Sequence, residues 1–142
     1  YTMKPQITVE VWVAVSKEQA WQYWTLPEHV MRWNFASDDW CCPRAENDLQ
    51  IGGVFNYRME AKDGSVGFDF SGTYTGVEKE KRINYVMAGA DARAVSIEFE
   101  ERDNGCSVRE TFEAENENSL ELQKMGWQSI LDNFKKHVEA QL

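Results

Sequence analysis

The last part of the chain, residues 118–138, carries the pattern of a long amphipathic helix. Apolar side chains recur there at spacings of three and four, so they collect on one face. They are Trp127, Ile130, Leu131, Phe134 and Val138. Asn118 with Glu121 forms a capping-box pattern at the start. Gly126 would let the helix lie close to another surface or flex. A helix of about twenty residues spans roughly 30 Å, so it needs a long apolar surface, which only a sheet formed by the preceding residues can supply.

The preceding residues predict that sheet. Residues 6–15 alternate between apolar and polar side chains, as a half-buried strand does. Further alternating runs are separated by turn sequences, among them Asp-Gly and Asn-Gly pairs that indicate antiparallel hairpins. These runs predict six strands, at residues 48–51, 54–62, 65–79, 83–87, 92–101 and 106–114. Residues 89–91 are expected to form one of the turns. Residues 34–47 have no clean period and are expected to form a loop.

Two short helices are predicted between the first strand and the others. Ser16 is a helix-capping residue, and Ala20, Trp21 and Trp24 give the segment after it an apolar side. Pro27 suits the first position of a second helix. The predicted order is strand, two short helices, six strands and a long helix. This is an α+β fold in which a curved antiparallel sheet receives the final helix, and residues 1–142 fit a single domain.

Composition limits the partners and the location. The chain has 24 acidic and 15 basic residues and a net charge of −9, so nucleic acid and anionic membranes are poor partners. We find no apolar run of membrane-spanning length and no signal peptide. Three cysteines, an odd number, form neither a disulfide framework nor a zinc-site spacing. We therefore expect a reduced, cytoplasmic protein without a metal or another cofactor.

Several short motifs lie along this order of elements. They are Ala20-Trp21, Trp24-Thr25, Pro27-Glu28 and Trp33, then Gly52-Gly53-Val54-Phe55, Asp63-Gly64, Phe70-Ser71-Gly72-Thr73-Tyr74, Gly126-Trp127 and Leu131. Together they resemble the helix-grip fold of the START-like (SRPBCC) superfamily, and more closely its bacterial branch named after the activator of heat-shock protein 90 ATPase. The resemblance extends from about residue 7 to residue 139 and implies a cavity between the sheet and the long helix. Members use that cavity for lipids, polyketides, hormones or metabolites, so the resemblance does not select a ligand.

Strand alternation and the helix pattern identify the side chains that would line such a cavity. The aromatic and methionine candidates on the sheet are Phe55, Tyr57, Met59, Phe68, Phe70, Tyr74, Tyr85 and Phe112. Trp127 and Leu131 would face them from the long helix, with Trp127 as anchor or lid, while Trp33 and Trp40 would act as gate residues. Aromatic and methionine walls are typical of small-molecule cavities. The same side chains could instead fill an ordinary core.

Glu110 is the candidate polar residue, because it falls between Val108 and Phe112 on the inward face of its strand. A buried carboxylate must be paired, hydrogen-bonded or protonated. It could anchor a ligand hydroxyl or amine, act as a general acid/base, or simply reach water or an arginine. Asp38 and Asp39 are adjacent and indicate an exposed loop rather than a metal site. His29 and His137 are each expected to face solvent alone.

Three functional hypotheses follow. The first is a non-enzymatic protein that binds a small apolar or aromatic molecule. The second is a cyclase or hydrolase that uses the same cavity, with Glu110 moving a proton. The third, implied by the name of the family branch, is a co-chaperone-like protein that docks on a heat-shock ATPase and could have a closed core. A homodimer is possible in this fold, but no sequence pattern specifies one.

Overall fold

The computed structural model describes residues 4–89 and 91–142. In these ranges the order of elements is β1 (Gln6–Val13), α1 (Lys17–Thr25), α2 (Pro27–Trp33), β2 (Trp40–Asn47), β3 (Val54–Ala61), β4 (Gly67–Glu78), β5 (Arg82–Met87), β6 (Ala94–Arg102), β7 (Gly105–Glu113) and α3 (Leu120–Glu139). The strands form one antiparallel sheet in the order β1-β7-β6-β5-β4-β3-β2. The sheet curves around α3, and the predicted α+β helix-grip fold is confirmed. Ala90, in the predicted turn at 89–91, lies outside the described residues.

The second strand is not where the sequence analysis placed it. Six strands do follow the short helices, but β2 occupies Trp40–Asn47, within the predicted loop, and residues 48–51 form a turn closed by hydrogen bonds such as Gly53 N to Gln50 O (2.8 Å). β2 is an edge strand that pairs with β3, and its register shifts between Cys41 and Arg44, around Pro43. Edge strands tolerate proline and bulges. The irregularity removes the alternation by which a strand is recognised in sequence.

Both short helices form as predicted. The side chain of Ser16 caps α1 by accepting a hydrogen bond from the Gln19 backbone N–H (3.2 Å). Pro27 begins α2, where its missing N–H costs nothing because the first helical N–H groups have no partner within the helix. These two helices lie between β1 and β2 in the chain and bring tryptophan side chains to one end of the sheet.

The start of α3 is one residue later than the capping pattern indicated. Ser119, not Asn118, is the N-cap, and its hydroxyl accepts a hydrogen bond from the Leu122 backbone N–H (3.1 Å). Asn118 lies outside the helix and donates its backbone N–H to Glu115 (2.7 Å). Both residue types are good N-caps, so residue type alone does not decide between them.

The prediction that the two histidines face solvent alone is wrong. His29 on α2 and His137 on α3 form a hydrogen bond between Nδ1 and Nε2 (2.9 Å), and His137 is only 9% exposed. The ring of Tyr23 packs edge-on against both. Burial, followed by the nearby charges of His29 and Arg32, lowers the pKa of His137. The pair therefore connects the two helices.

The core lies between the C-terminal half of α3 and the sheet. Leu131, Phe134 and Val138 are fully buried there. The ring of Phe134 contacts Trp24 (centroids 5.0 Å apart) and Trp33 (5.1 Å). Trp127 and Ile130, nearer the start of α3, are only partly buried. Helix α3 thus packs closely at its C-terminal end and leaves space beneath its other end.

No helix in the described ranges is both long and apolar enough to cross a membrane.

Candidate functional site: a cavity between the sheet and the long helix

A cavity of about 430 Å³ lies between the concave face of the sheet and α3. Its volume is in the range of small-molecule sites, which is roughly 300–1,000 Å³. Side chains from β3, β4, β5, β6, β7, α1, α2 and α3 line it. Phe68, Asp69 and Ala88 are exposed members of the lining, so they mark its mouth. The cavity opens where the start of β4 meets the residues after β5.

Most of the predicted site residues line this cavity. They are Trp33, Phe55, Tyr57, Met59, Phe68, Phe70, Tyr74, Tyr85, Glu110 and Trp127. Three do not. Trp40 packs against Phe68 at the rim (centroids 5.9 Å apart), and Phe112 stacks behind Trp127. Leu131 is fully buried in the core. These three therefore support the walls from behind or beside them.

The lining also contains residues that the sequence analysis did not select as site residues. The large apolar ones are Trp24, Ile83, Met87, Ile97 and Ile130, and the small or polar ones are Asn34, Asp69, Ser71, Ala88 and Arg93. The apolar set follows the periodicity already used, and it could have been included on that basis. The alternation that turns Phe68 and Phe70 inward would turn Asp69 and Ser71 outward, so periodicity could not identify those two.

Aromatic rings form a continuous wall on the sheet side, centred on Phe55. Its ring centroid lies 4.9 Å from that of Tyr57 and 4.8 Å from that of Tyr85. Phe70 and Tyr74 contact it at 5.5 Å and 5.4 Å. A Cβ atom at Gly72 would approach Phe55 Cε2 to 2.7 Å, so this glycine makes room for the ring. The wall is rigid, because each ring is held by its neighbours.

Hydrogen bonds fix the phenol group of Tyr74 in this wall. The Tyr74 hydroxyl donates to Asn47 Oδ1 (2.6 Å), and Asn47 Nδ2 donates to the Thr25 backbone carbonyl (2.8 Å). The chain of bonds connects β4 through β2 to the end of α1. Burial raises the pKa of Tyr74 to about 12 and that of Tyr57 well above its ordinary value. Both phenols are neutral at physiological pH, and the Tyr74 hydroxyl, whose proton is donated to Asn47, can still accept a hydrogen bond from a ligand.

Two tryptophans complete the wall. Trp127 on α3 stacks on Phe112 (centroids 3.9 Å apart, planes at 11°) and meets Phe70 edge-on at 6.4 Å. It therefore bridges the helix and the sheet beside the cavity. Trp33 is buried, and its Nε1–H donates to the Tyr23 backbone carbonyl (3.0 Å). This fixed, buried position makes Trp33 part of the wall and not the gate that the sequence analysis expected.

Glu110 lies on the cavity wall in apolar surroundings. Its side chain is 5% exposed, and its cross-strand partners are Val9 on β1 and Ile97 on β6. Val108 and Phe112 flank it on the same face of β7. Burial raises the pKa of its carboxyl group to about 8, and no hydrogen bond or charge in the described part of the chain offsets that effect. The carboxyl group is thus largely protonated at neutral pH, and it faces the cavity unpartnered.

The other charged residues of the lining have partners. Arg93 Nε pairs with Asp91 (3.0 Å), and its Nη1 donates to the Glu113 backbone carbonyl (3.2 Å). Asp69 accepts from Arg58 Nη1 (3.5 Å). Both residues are satisfied by neighbours near the mouth. Glu110 differs from them in lacking any such neighbour.

Potential metal ligands do not cluster in the described residues, and two of the three thiols are buried. No group of three or more potential metal-ligating side chains comes together among them. Asp38 and Asp39 are exposed, and Asp39 Oδ1 accepts a hydrogen bond from the Ser37 hydroxyl (2.6 Å). Burial raises the pKa of the Cys42 and Cys106 thiols to about 11. These thiols stay protonated, and a protonated thiol is a poor nucleophile.

Comparison with known proteins gives matches along nearly the whole chain. The family model described as Activator of Hsp90 ATPase homolog 1-like protein matches residues 14–139. An AHSA1-like protein from Aeromonas hydrophila has 44% identity and a TM-score of 0.89, over 96% of this chain and 93% of that one. A protein from Cytophaga hutchinsonii has 43% identity and a TM-score of 0.81, over 96% and 93%. A protein from Nitrosomonas europaea, at 20% identity with a TM-score of 0.81 over 96% of each chain, shares the fold. Comparison with curated proteins found no match.

Proposed function

The chain belongs to the Activator of Hsp90 ATPase homolog 1-like family, and on that premise we propose that it is a binding protein for one small, largely apolar or aromatic molecule. The molecule would occupy the cavity between the sheet and α3. The Glu110 carboxyl group and the neutral tyrosine hydroxyls would orient it. The fold is consistent with a ligand-binding family.

The observation that carries the proposal is the open volume of about 430 Å³ beside so many aromatic rings. Large side chains in a filled core interdigitate and leave few voids larger than a water molecule. Here Phe55, Tyr85 and Trp127 instead border space that an aromatic molecule could fill. A ligand buried among them would gain the free energy of apolar burial and of ring contacts.

An enzymatic role is the second candidate, and Glu110 is the reason to consider it. A carboxyl group with a pKa of about 8 can exchange a proton near neutral pH. General acid/base catalysis normally uses a second polar group that holds the first in position. Among residues 4–89 and 91–142, Glu110 has no hydrogen-bonding partner of this kind. We therefore prefer the binding role, which needs only the cavity.

Docking on a heat-shock ATPase is the third candidate function. A protein that acts only by docking on a heat-shock ATPase needs no internal cavity, so the cavity favours small-molecule binding over docking.

We propose a cytoplasmic location. The support is that Cys41, Cys42 and Cys106 are all free thiols, as expected in a reducing compartment.

The proposal can be tested with prodan, a small neutral naphthalene dye whose emission shifts to the blue in apolar surroundings. We expect saturable binding of one dye per chain. The variant Ala88→Trp places a large ring at the exposed mouth of the cavity and should weaken binding by at least about tenfold. The matched control is Thr75→Trp, which adds the same ring at an exposed position of β4 that does not line the cavity. It should bind the dye like the wild type.

Two results would contradict the proposal. One is the absence of saturable dye binding by the wild-type protein. The other is equal binding by wild type and Ala88→Trp, because the dye would then occupy some other surface. Circular dichroism of both tryptophan variants would establish that each keeps the fold.

A further inference from the structure

We propose that the ligand of this cavity carries a positively charged amine that forms an ion pair with Glu110. The inference rests on the proposed function and specifies the chemistry of its ligand. It is drawn from three features of the site, which are the isolation of the Glu110 carboxyl group, the charges around the cavity, and the rings that face it.

The isolation of Glu110 is structural. The side chain is more than nine-tenths buried, and the residues beside it on the sheet are all apolar. They are Val9 on β1, Ile97 on β6, and Val108 and Phe112 on β7. No hydrogen-bond donor in the described ranges reaches its carboxylate. Buried polar groups without a partner are rare in folded proteins, so a partner supplied by a ligand would explain this one.

The charges around the cavity favour a cation as that partner. The basic side chain of the lining, Arg93, is occupied by Asp91. Asp69 at the mouth is occupied by Arg58. The titratable group that interacts with Glu110 across the cavity is the phenol of Tyr85, and burial raises its pKa and keeps it neutral. The unmatched group is therefore an acid, and a ligand ammonium would match it.

Aromatic rings beside a carboxylate are the second feature of an ammonium-binding site, and this cavity has them. Phe55, Phe70, Tyr85 and Trp127 line the same cavity as Glu110. The faces of aromatic rings attract cations, and aromatic cages recognise ammonium groups in many proteins. A ligand with an aromatic body and an amine on a short chain could place its ring against this wall and its amine at Glu110. A neutral ligand would use the wall but could offer the carboxyl group at most a hydrogen bond and no ion pair.

Binding of such a ligand must release a proton. At pH 7 the free protein holds Glu110 mostly as the neutral acid, whereas the ion pair needs the carboxylate. The proton of Glu110 therefore passes to the buffer when the ammonium enters. For a pKa of about 8, the expected release is about 0.9 proton per ligand at pH 7 and about 0.1 at pH 9. A neutral or anionic ligand would release none at either pH.

Isothermal titration calorimetry with three indoles of nearly equal size tests the inference. Tryptamine carries the ammonium, tryptophol carries a hydroxyl group, and indole-3-acetate carries a carboxylate. We expect wild-type protein at pH 7 to bind tryptamine at least about tenfold more tightly than tryptophol. Titrations in buffers of different ionisation enthalpy should give the proton release stated above. Glu110→Gln should reduce the preference below about threefold and abolish the proton release.

The control variant is Glu98→Gln. Glu98 is on β6 beside Ile97, outside the cavity lining, where it pairs with Arg82. Its replacement makes the same Glu-to-Gln change at a carboxylate outside the cavity, so an unchanged preference for tryptamine in this variant would assign the effect to Glu110.

The inference is overturned if tryptophol or indole-3-acetate binds as tightly as tryptamine, or if Glu110→Gln keeps the preference. It is also overturned if none of the three indoles binds. In each case prodan binding decides separately whether the proposed function stands. A wild-type protein that binds the dye at the cavity but shows no preference for the amine has a small-molecule site with a different ligand.

Discussion

At the scale of single residues, Glu110 is the side chain whose chemistry is least expected in a folded core. A carboxyl group transferred from water to apolar surroundings favours its neutral form. The folded chain therefore binds the Glu110 proton more tightly than the unfolded chain does. This difference makes the stability of the protein depend on pH in a defined direction.

Glu110→Gln removes that dependence. Because the pKa of Glu110 is raised on folding, its stabilising contribution is complete below the unfolded pKa of about 4.5 and is lost as the pH rises through about 8. The stability of Glu110→Gln relative to wild type should therefore grow between these values, by on the order of 4 kcal/mol. Urea denaturation of both proteins from pH 4 to pH 9 measures the difference. A difference that stays constant with pH would show that Glu110 reaches water in the folded state.

Alternation found the inward position of Glu110, but it did not show whether the residue had a partner. The partner of Arg93 is Asp91, at the turn between β5 and β6. Loop geometry of this kind has no period in the sequence. His137 could have been recognised, because it lies three residues after Phe134 on the buried side of the helix. Its bond to His29 could not, since that depends on how α2 and α3 cross.

At the scale of helices and strands, α3 organises the molecule, and its first residues offer a direct comparison. Ser119→Ala should destabilise the protein by about 1 kcal/mol, because it removes the side-chain oxygen that accepts the Leu122 N–H. Asn118→Ala is the matched control and should cost well under half of that, since the hydrogen bond of Asn118 is made by its backbone N–H. Equal losses in thermal or urea denaturation would contradict the assignment of the cap.

Gly126 tests whether α3 needs flexibility over the cavity. A Cβ atom at this position would meet nothing within 4 Å, so close approach to the sheet does not require the glycine. Gly126→Ala should therefore stabilise the protein by roughly 1 kcal/mol. If the helix is rigid in function, prodan affinity and its binding rate should stay at wild-type values. A stabilised variant that binds the dye more slowly would indicate that bending at Gly126 admits the ligand.

The elements differ in how well their patterns predict them. The strands in the middle of the sheet alternate regularly, and the sequence identified β5 and β7 to within one or two residues. β2 failed because an edge strand has fewer constraints on its buried face. Cys41 is partly buried and Pro43 is exposed. The register shift between Cys41 and Arg44 breaks the alternation of buried and exposed side chains. The capping residue of α3 was ambiguous because Asn118 and Ser119 are adjacent and equally suitable.

At the scale of the whole molecule, the fold followed from the order of elements and from the family resemblance, which also implied a cavity but did not give its volume. Its volume depends on the gap between α3 and the sheet, and that gap is set by many side chains at once. Trp127 illustrates this. Its ring rests on Phe112 and Phe70 and borders the cavity without filling it. No periodic pattern distinguishes such a ring from one that completes a core.

The most direct test of ligand binding is native mass spectrometry of the protein purified gently, without detergent, from the cells that produce it. The account predicts a reproducible added mass corresponding to one small molecule per chain, absent under denaturing conditions and reduced in Ala88→Trp. The amine inference further predicts that the released compound contains a basic amine nitrogen. Protein that is consistently empty across growth conditions, or an added mass that Ala88→Trp retains in full, would contradict the claim that this cavity holds a ligand.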